Sequence, residues 1–419
     1  MLLYVSSRSY SDRPKSKGGE FNMKKKVLSL VLASSMVVSL AACGSSETAS
    51  EPAATTETAT TEAATTAEAE TTAAETEAAE SNAISTEGQI IALITDSGDI
   101  TDESFNQTTW EGVCEFGDAN GVEYNYYKPA EDTDEERLNS IDLAVAEGAT
   151  VIVLPGYLFG PALSEAQETY PDVTFIAVDV SEGDMSVPIA KNAYACTFME
   201  EQAGYLAGYA AVKEGYTKLG FLGGMAVPAV IRYGYGYVQG INAAAEEMGV
   251  DVEVNYTYGG QFYGDANITA KMESWYAAGT EIVFACGGGI YTSAMEAALN
   301  YDGMIIGVDV DQYSIGEGNA YNPVLTSAMK GLQATVVDKL TAYFNGEWDT
   351  VGGKVDNLGL ADGDYVGLPT GGESWTFETF TVDEYEATLA GIKDGSITIS
   401  NDTENAPEVG EHTTVNYID

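Results

Sequence analysis

Short, almost entirely apolar runs recur along this chain and limit what it can fold into. They include TVIVLP at 150–155, VTFIAVD at 173–179, EIVFAC at 281–286 and MIIGVD at 304–309. Longer amphipathic stretches of helical length separate them. Runs without polar alternation are typical of parallel strands buried on both faces of a sheet. The alternation of such strands with helices predicts a doubly wound α/β fold.

The same pattern gives approximate bounds for the elements. The strands are predicted at 89–95, 122–128, 150–155, 173–179, 218–223, 251–257, 281–286, 303–308, 324–328 and, more weakly, near 353–359. The helices are predicted at 105–119, 134–147, 160–169, 198–213, 230–248, 265–278, 290–300, 330–345 and near 382–393. Ser104 with Gln107, and Thr133 with Glu136, have the spacing of capping boxes and support two of the helix starts.

The α/β pattern runs twice, over roughly 89–196 and 197–324. We therefore expect two doubly wound parallel-sheet lobes joined by a hinge. The segment at about 325–350 is expected to return to the first lobe. Part of 351–419 is expected to join the second. This organisation is typical of hinged binding proteins.

Residues 23–43, MKKKVLSLVLASSMVVSLAAC, predict a secretory signal sequence: lysines, a short apolar run and then small residues. Its end, LAAC, resembles the lipobox of bacterial lipoproteins, in which the cysteine is acylated. The resemblance implies that Cys43 carries a lipid and anchors the protein to a membrane without spanning it. The alternative is an ordinary signal peptide with an incidental cysteine.

The segments on either side of this signal carry no pattern of a packed domain. Residues 1–22 are expected to be a spurious extension ahead of a true start at Met23, because KGGEFNM can be encoded by a ribosome-binding site. Residues 44–88 consist almost entirely of Thr, Ala, Glu and Ser. Such a segment has too little apolar surface to fold, and we expect a disordered stalk.

Composition excludes several functional classes. The formal net charge is −47, and only 11 of the 18 lysines and arginines follow Cys43, so nucleic-acid binding is not expected. The single histidine, His412, disfavours histidine catalysis and a Cys/His zinc site. Cys114, Cys196 and Cys286 show no close pairing and predict no disulfide framework. We expect a monomer with no metal, no cofactor and no catalytic residues.

Polar residues follow the predicted strands at their carboxyl ends, where open parallel sheets bind ligands. Asp96 and the loop SGDITDESFNQ follow the first strand. Asp179, Gly287 with Gly288, Asp309 and Lys330 follow later strands. Topology alone therefore predicts that they meet at one edge.

These residue types suit a nucleoside. Carboxylates accept charge-assisted hydrogen bonds from paired hydroxyls, such as those of a ribose. Phe105 and a tyrosine can enclose a planar ring, and such stacking is worth about 1–3 kcal/mol per base. Asn106 can both donate and accept hydrogen bonds, and glycines allow close approach of the backbone. We therefore predict a nucleoside-like pocket that closes between the lobes.

Four segments in order, TDSGDITDESFNQ, FACGGGIYTSA, IIGVDVDQ and LTSAMKG, resemble the basic membrane protein family. These are substrate-binding lipoproteins of ABC transporters that include purine nucleoside receptors. The resemblance covers about 89–345. It implies the type I periplasmic-binding-protein fold, no enzymatic activity, a nucleoside ligand with purine favoured, and an ABC permease as partner.

The resemblance also implies a set of ligand-binding residues: Asp96, Phe105, Asn106, Asp179, Gly287, Gly288, Asp309 and Lys330, with Asp309 on the ribose hydroxyls. The chain departs from its relatives in VIRYGYGY, where they tend to carry a phenylalanine. Of the tyrosines there, Tyr233 and Tyr237 are expected to contact the ligand. A tyrosine hydroxyl can change which bases are accepted, so the purine preference stays open.

Other interpretations remain at the level of the sequence. Asp309 and Lys330 can be a structural ion pair, and Asp99 and Glu103 a solvated turn. VFACGGGIYTSAMEAA, with Asp309 about 20 residues beyond its glycines, partly matches the dinucleotide-binding fingerprint, although the third glycine is missing. A dinucleotide-dependent enzyme, a surface adhesin or sensor, and a receptor for another sugar-bearing solute are therefore the alternatives.

Overall fold

The structure, a computed structural model, describes residues 83–418. The expectations for the extension 1–22, for the signal sequence with Cys43 and for the stalk up to residue 82 lie outside the described residues. Within 83–418, no helix is both long enough and apolar enough to cross a membrane.

Strands and helices alternate over most of the described chain. The strands are β1 (Ile90–Ile94), β2 (Glu123–Tyr127), β3 (Val151–Pro155), β4 (Thr174–Val178), β5 (Ala193–Phe198), β6 (Lys218–Gly223), β7 (Val252–Tyr258), β8 (Ile282–Cys286), β9 (Met304–Asp309), β10 (Val324–Lys330), β11 (Val355–Leu358), β12 (Val366–Gly367) and β13 (Thr413–Tyr417). The helices are α1 (Phe105–Asn120), α2 (Asp134–Ala146), α3 (Phe159–Thr169), α4 (Glu200–Glu214), α5 (Pro228–Met248), α6 (Ala266–Ala277), α7 (Tyr291–Asn300), α8 (Leu332–Phe344) and α9 (Val382–Lys393).

The strands form two sheets. The first has the order β11-β5-β4-β3-β1-β2, and the second has the order β12-β10-β9-β8-β6-β7-β13. Neighbouring strands are parallel except for β12, which pairs antiparallel with β10. The fully apolar runs form the central strands; all five residues of β3, β4 and β8 are buried. The predicted α/β class with parallel sheets is confirmed.

Three strands have no counterpart among those that the sequence predicts. β5 lies between β4 and β11, β12 has only two residues, and β13 extends the second sheet beside β7. The segment that forms β13, TTVNY, follows a polar stretch and is only partly buried. Such short or polar strands are stabilised by the edge that they join, and this dependence is not visible in local periodicity.

The chain passes between the two lobes three times within residues 83–418: from β5 into α4, from β10 into α8, and from β11 to β12. The segment 325–350, which was expected to return to the first lobe, divides at one of these crossings. Its strand β10 pairs with β9 in the second sheet, whereas its helix α8 packs on α1 of the first lobe. Lys330 is the last residue of β10 and therefore lies at the hinge.

Helices α4 and α5 pack with their backbones in close approach. Gly204 and Gly208 of α4, and Gly236 and Gly240 of α5, occupy the contact one helical turn apart. A methyl group on any of the four would overlap a backbone carbonyl oxygen of the facing helix. The glycines therefore set the separation of the two helices and bring their N-terminal parts together at the hinge.

Replacing Gly236 with alanine should lower the thermal midpoint of unfolding, because the added methyl meets the carbonyl oxygen of Glu201. Overpacking of this kind costs about 1–3 kcal/mol. Gly371→Ala is the control, since a methyl there has no neighbour within 4 Å. Equal midpoints for the two variants, measured by differential scanning calorimetry, would show that the helix contact tolerates a side chain.

A candidate ligand site between the two lobes

A cavity lies between the lobes at the carboxyl ends of the strands. Asp96, Phe105 and Asn106 line it from the first lobe. Tyr233, Gly287, Gly288, Asp309 and Lys330 line it from the second lobe and its hinge. The space open to the centres of water molecules is about 90 Å³. A single water needs only about 10–15 Å³ by this measure, so the cavity has room for a larger ligand.

Asn106 holds Asp96 in position. Its side-chain amide donates to Asp96 Oδ1 at 2.9 Å and to Asp102 Oδ2 at 3.1 Å. Its amide oxygen accepts from the backbone N–H of Asp96 at 3.3 Å. Both N–H groups of the Asn106 amide are therefore used within the protein. Asn106 orients the Asp96 carboxylate, and no N–H of its side chain remains free to donate to a ligand.

Asp102 caps helix α1. Its carboxylate accepts from the backbone N–H groups of Ser104 at 3.0 Å, Asn106 at 3.1 Å and Gln107 at 3.1 Å. The predicted capping box between Ser104 and Gln107 is therefore wrong, because Ser104 makes no side-chain cap. Burial raises the pKa of Asp102 to about 6, although these hydrogen bonds oppose the rise.

Hydrogen bonds from Ser104 and Gln312 cross the cleft and hold the lobes together. The Ser104 hydroxyl, which does not cap its helix, donates to Asp309 Oδ2 at 2.5 Å. Gln312 Nε2 donates to the backbone oxygen of Glu103 at 2.7 Å. The Glu103 side chain is exposed, as expected for a solvated turn, but its backbone takes part in closure.

Backbone strain is concentrated at this site. Of the four non-glycine residues with positive φ within 83–418, three belong to it: Glu103 at 51°, Asp179 at 58° and Asp309 at 68°. The left-handed region costs a non-glycine residue of the order of 1–3 kcal/mol and is found mainly where the surrounding structure imposes it. The strain indicates that the backbones of Asp179 and Asp309 adopt this conformation for the function of the site and not for stability.

Lys330 is the centre of a buried charge cluster. Its ammonium lies 2.5 Å from Asp179 Oδ2, 3.5 Å from Asp309 Oδ1 and 3.5 Å from Glu200 Oε1. Burial disfavours the charge, but the three carboxylates outweigh burial and raise the pKa of Lys330. The ammonium also lies 4.6 Å from the centroid of the Phe105 ring. Asp309 and Lys330 are thus an ion pair and also part of the cavity wall.

Asp179 reaches the site through Lys330 and does not line the cavity itself. It lies at the end of β4 and is 8% exposed. Burial raises its pKa, while the charge of Lys330 opposes the rise. Its Oδ1 atom has no hydrogen-bond partner in the described part of the chain. Asp179 therefore links the first lobe to the hinge lysine.

The family model for "ABC transporter substrate-binding protein PnrA-like", named Bmp, matches residues 90–401. A similar curated protein is "ABC transporter nucleoside-binding protein BmpA" of Lactococcus lactis subsp. cremoris, 29% identical over 74% of this chain and 88% of that protein. Another is "CD4+ T-cell-stimulating antigen" of Listeria monocytogenes, 30% identical over 68% of this chain and 81% of that protein.

The chain belongs to the Bmp family.

Solved structures support the fold of this Bmp-family protein. A solute-binding protein of an ABC transporter system from Aeropyrum pernix superposes with a TM-score of 0.60 at 21% identity, over 75% of this chain and 88% of that one. One from Conexibacter woesei gives a TM-score of 0.59 at 21% identity, over 75% and 99%. The fold is therefore the type I fold of periplasmic solute-binding proteins, as the sequence resemblance implied.

Membership of the Bmp family settles the functional class. The protein is the substrate-binding component of an ABC transporter, acts outside the cytoplasm, and has a small ligand and a permease as partners. The family is not a known class of enzymes.

Sequence reasoning missed part of the site of this Bmp-family chain. Glu200, the first residue of α4, is fully buried and accepts a hydrogen bond from Arg232 Nε at 2.6 Å. Burial disfavours its charge, but Arg232 and Lys330 outweigh burial and lower the pKa of Glu200. Glutamate at a helix start usually faces solvent, where it interacts with the helix dipole. Tyr157 and Phe262 of the cavity wall were not among the predicted site residues either.

The two tyrosines that were expected at the ligand have different surroundings. Tyr233 lines the cavity. Tyr237, one turn further along α5, is fully buried and packs in the core, with ring centroids 5.2 Å from Phe284 and 6.3 Å from Phe221. This placement does not support a direct contact between Tyr237 and a ligand.

Glu201 should make the stability of the protein depend on pH. Its side chain is 4% exposed, Oε2 has no hydrogen-bond partner within 83–418, and burial raises its pKa to about 7. The folded-state pKa therefore lies above the reference value of 4.5, so the folded protein binds this proton more tightly. The resulting stabilisation is fully present below the reference value and is lost as pH rises through about 7.

Replacing Glu201 with glutamine should raise the thermal midpoint relative to wild type more at about pH 8 than at about pH 5. A pKa difference of one corresponds to about 1.4 kcal/mol, which is enough to measure. Glu165→Gln, at an exposed position of α3, is the control and should leave the thermal midpoint unchanged at both pH values. The same difference from wild type at both pH values would contradict the assignment.

Proposed function

We propose that this protein is a lipid-anchored receptor that captures a nucleoside, with purine favoured, in the cavity between its lobes and delivers it to an ABC permease. One observation carries the proposal: a flat aromatic surface and paired carboxylate and ammonium groups line the same cavity between the lobes. Phe105 supplies the surface, and Asp309 with Lys330 supplies the charged groups. A nucleoside combines a planar base with a polar sugar, and so it matches a cavity that has both an aromatic surface and charged groups.

The sugar is proposed to bind beside Asp309. Asp309 lies at the end of β9, is 5% exposed and is ion-paired with Lys330. Ribose hydroxyls can donate to its carboxylate, and Lys330 can donate to a sugar oxygen. Charge-assisted hydrogen bonds of this kind are roughly twice as strong as neutral ones. In this arrangement, the hydrogen bonds to the sugar would contribute a large part of the binding free energy.

The base is proposed to lie on the Phe105 ring, within reach of Asp96. Asp96 Oδ1 already accepts from Gly98 at 2.7 Å and from Asn106 at 2.9 Å. Its Oδ2 makes no hydrogen bond within the described protein and lies beside Gly156 of the cavity wall. An acceptor held in this way can bind an N–H group of a base. The relative from Lactococcus lactis, whose name includes nucleoside binding, supports this reading.

Binding is proposed to act through hinge closure. The cross-cleft bonds from Ser104 and Gln312 belong to the closed arrangement, and the cavity walls come from both lobes. A ligand that contacts both walls stabilises the closed form by its differential affinity for that form. Closure then presents one compact shape to the permease.

A binding panel on the purified protein tests the ligand class. Adenosine and other nucleosides should raise the thermal midpoint, while free bases, free sugars and NAD should do so less; a ligand at 100 times its Kd stabilises by about 2.7 kcal/mol. Asp309→Ala should weaken adenosine by about 10- to 100-fold, because hydrogen bonds to charged groups contribute about 1.5–3 kcal/mol. The same variant should weaken adenine far less.

The control for this series is Asp311→Ala, two residues further along the chain and absent from the wall of the cavity. If Asp309→Ala loses the same affinity for adenosine and for adenine, the sugar does not bind the Asp309 carboxylate. A response to NAD alone would favour a dinucleotide ligand. No response to any compound would point to another solute.

The lipid anchor rests on the LAAC sequence that ends at Cys43. In cells the wild-type protein should sediment with membranes, because an acyl-modified cysteine inserts its chains into the bilayer. Cys43→Ala should release the protein into the soluble fraction. Retention of that variant on membranes, measured by fractionation and immunoblotting, would argue against acylation of this cysteine.

A further inference from the structure

Gln312 makes a contact between the lobes that lies outside the wall of the ligand cavity. Its Nε2 atom donates to the backbone oxygen of Glu103 at 2.7 Å. Glu103 belongs to the loop between β1 and α1 of the first lobe, and Gln312 follows β9 of the second lobe. Neither residue lines the cavity, unlike Asp309, which accepts the cross-cleft bond from Ser104. The contact made by Gln312 therefore depends on closure and not on the chemistry of the ligand.

The second lobe by itself holds the Gln312 side chain in position. The residue is 1% exposed. Its Oε1 atom accepts from the backbone N–H of Val308 at 2.9 Å, and its own backbone N–H donates to Ser327 Oγ at 3.0 Å. Val308 lies in β9 and Ser327 in β10, so both contacts lie within the second sheet and do not involve the first lobe. A side chain that is held in this way loses little conformational freedom when its N–H group meets the other lobe.

The first lobe presents a carbonyl that its own helix does not use. In a regular helix the N–H of Gln107 would donate to the oxygen of Glu103. Here that N–H donates to Asp102 Oδ1 at 3.1 Å, and α1 begins with the bond from Thr108 N–H to the oxygen of Ser104 at 3.0 Å. Glu103 itself has a left-handed backbone with φ at 51°. Its oxygen therefore lies outside the helix, and in the closed form it pairs with the amide of the second lobe.

We propose that Gln312 is a positioning residue that stabilises the closed form without touching the ligand. The empty receptor then closes part of the time, and the bound ligand is released more slowly than its own contacts would allow. Because the ligand binds tightly only to the closed form, a change in the closed population changes the affinity for every ligand by the same factor. The inference rests on the hinge closure of the proposed function and names a residue that sets its equilibrium.

Two substitutions remove the Nε2 donor in different ways. Gln312→Glu keeps an oxygen for the N–H of Val308, and its ionised carboxylate cannot donate to the oxygen of Glu103. Gln312→Met removes both polar atoms and adds no charge. An effect that the two variants share is therefore due to the lost donor. The thermal midpoint is measured first, and either variant suffices if the other fails to fold.

Gln333 supplies the matched control. Its Nε2 atom donates to Glu115 Oε2 at 2.7 Å, the same distance as in the contact between Gln312 and Glu103. Gln333 lies in α8 and Glu115 in α1, and these two helices pack on each other in the first lobe. Hinge motion therefore leaves this pair together. Gln333→Glu and Gln333→Met should close and bind ligand as wild type does.

Single-molecule fluorescence energy transfer on the ligand-free full chain measures closure without any ligand. Dyes attached through unnatural amino acids at two exposed positions, Glu168 of α3 and Ser274 of α6, report on the first and the second lobe. Wild type should show a closed population. The closed fraction should fall roughly three- to tenfold in both Gln312 variants, which is the range expected for the loss of one neutral hydrogen bond.

Isothermal titration calorimetry then compares the affinities for adenosine, inosine and 2′-deoxyadenosine. Both Gln312 variants should bind all three nucleosides more weakly than wild type by one common factor, roughly three- to tenfold. Stopped-flow fluorescence should show that the dissociation rate of each nucleoside rises. A residue that contacts the ligand would instead change the three affinities by different factors.

A closed fraction that is the same in wild type and in the Gln312 variants would overturn the inference. Losses of affinity that differ between adenosine and 2′-deoxyadenosine would also overturn it, because they would place Gln312 in contact with the ligand. Both results leave the nucleoside function standing. If wild type binds no nucleoside at all, the proposed ligand is wrong, and the closed fraction of the empty protein alone decides the role of Gln312.

Discussion

The ammonium of Lys330, buried among Asp179, Asp309 and Glu200, is the interaction on which the rest of the site depends. A buried charge is tolerated only when it is paired, and removing one partner of such a pair costs about 3–5 kcal/mol. Its partners are the residue that follows β4, the last residue of β9 and the first residue of α4, and so they come from both lobes. Lys330 itself ends β10 at a crossing. The charge cluster therefore fixes the hinge and one end of the cavity together.

Closure uses features that would destabilise an ordinary domain. Glu103 and Asp309 hold left-handed backbone, and both take part in the bonds across the cleft. Tyr233 and Asp179 keep unpaired oxygens within the described structure. The glycines between α4 and α5 let the two helices pack in close contact beside the site, with no space for a methyl group between them. Stability from the core thus offsets strain at the site.

The fold could be predicted from the sequence because buried parallel strands have a distinctive apolar pattern and their carboxyl ends meet at one edge. Asp96, Phe105 and Asp309 were found by that topological argument. Glu200 could not be found, since its burial depends on Arg232 and Lys330, which are distant in the chain. Ser104 has the pattern of a helix cap, but a competing partner across the cleft takes its hydroxyl. Such choices depend on tertiary contacts.

The central claim is that Phe105 and Asp309 face the two halves of one nucleoside. A crystal structure of the protein grown with adenosine measures this most directly. We expect the base to stack on the Phe105 ring and the ribose hydroxyls to lie within about 3 Å of the Asp309 carboxylate. Adenosine bound elsewhere, or bound in this cavity with its sugar turned away from Asp309, would contradict the account.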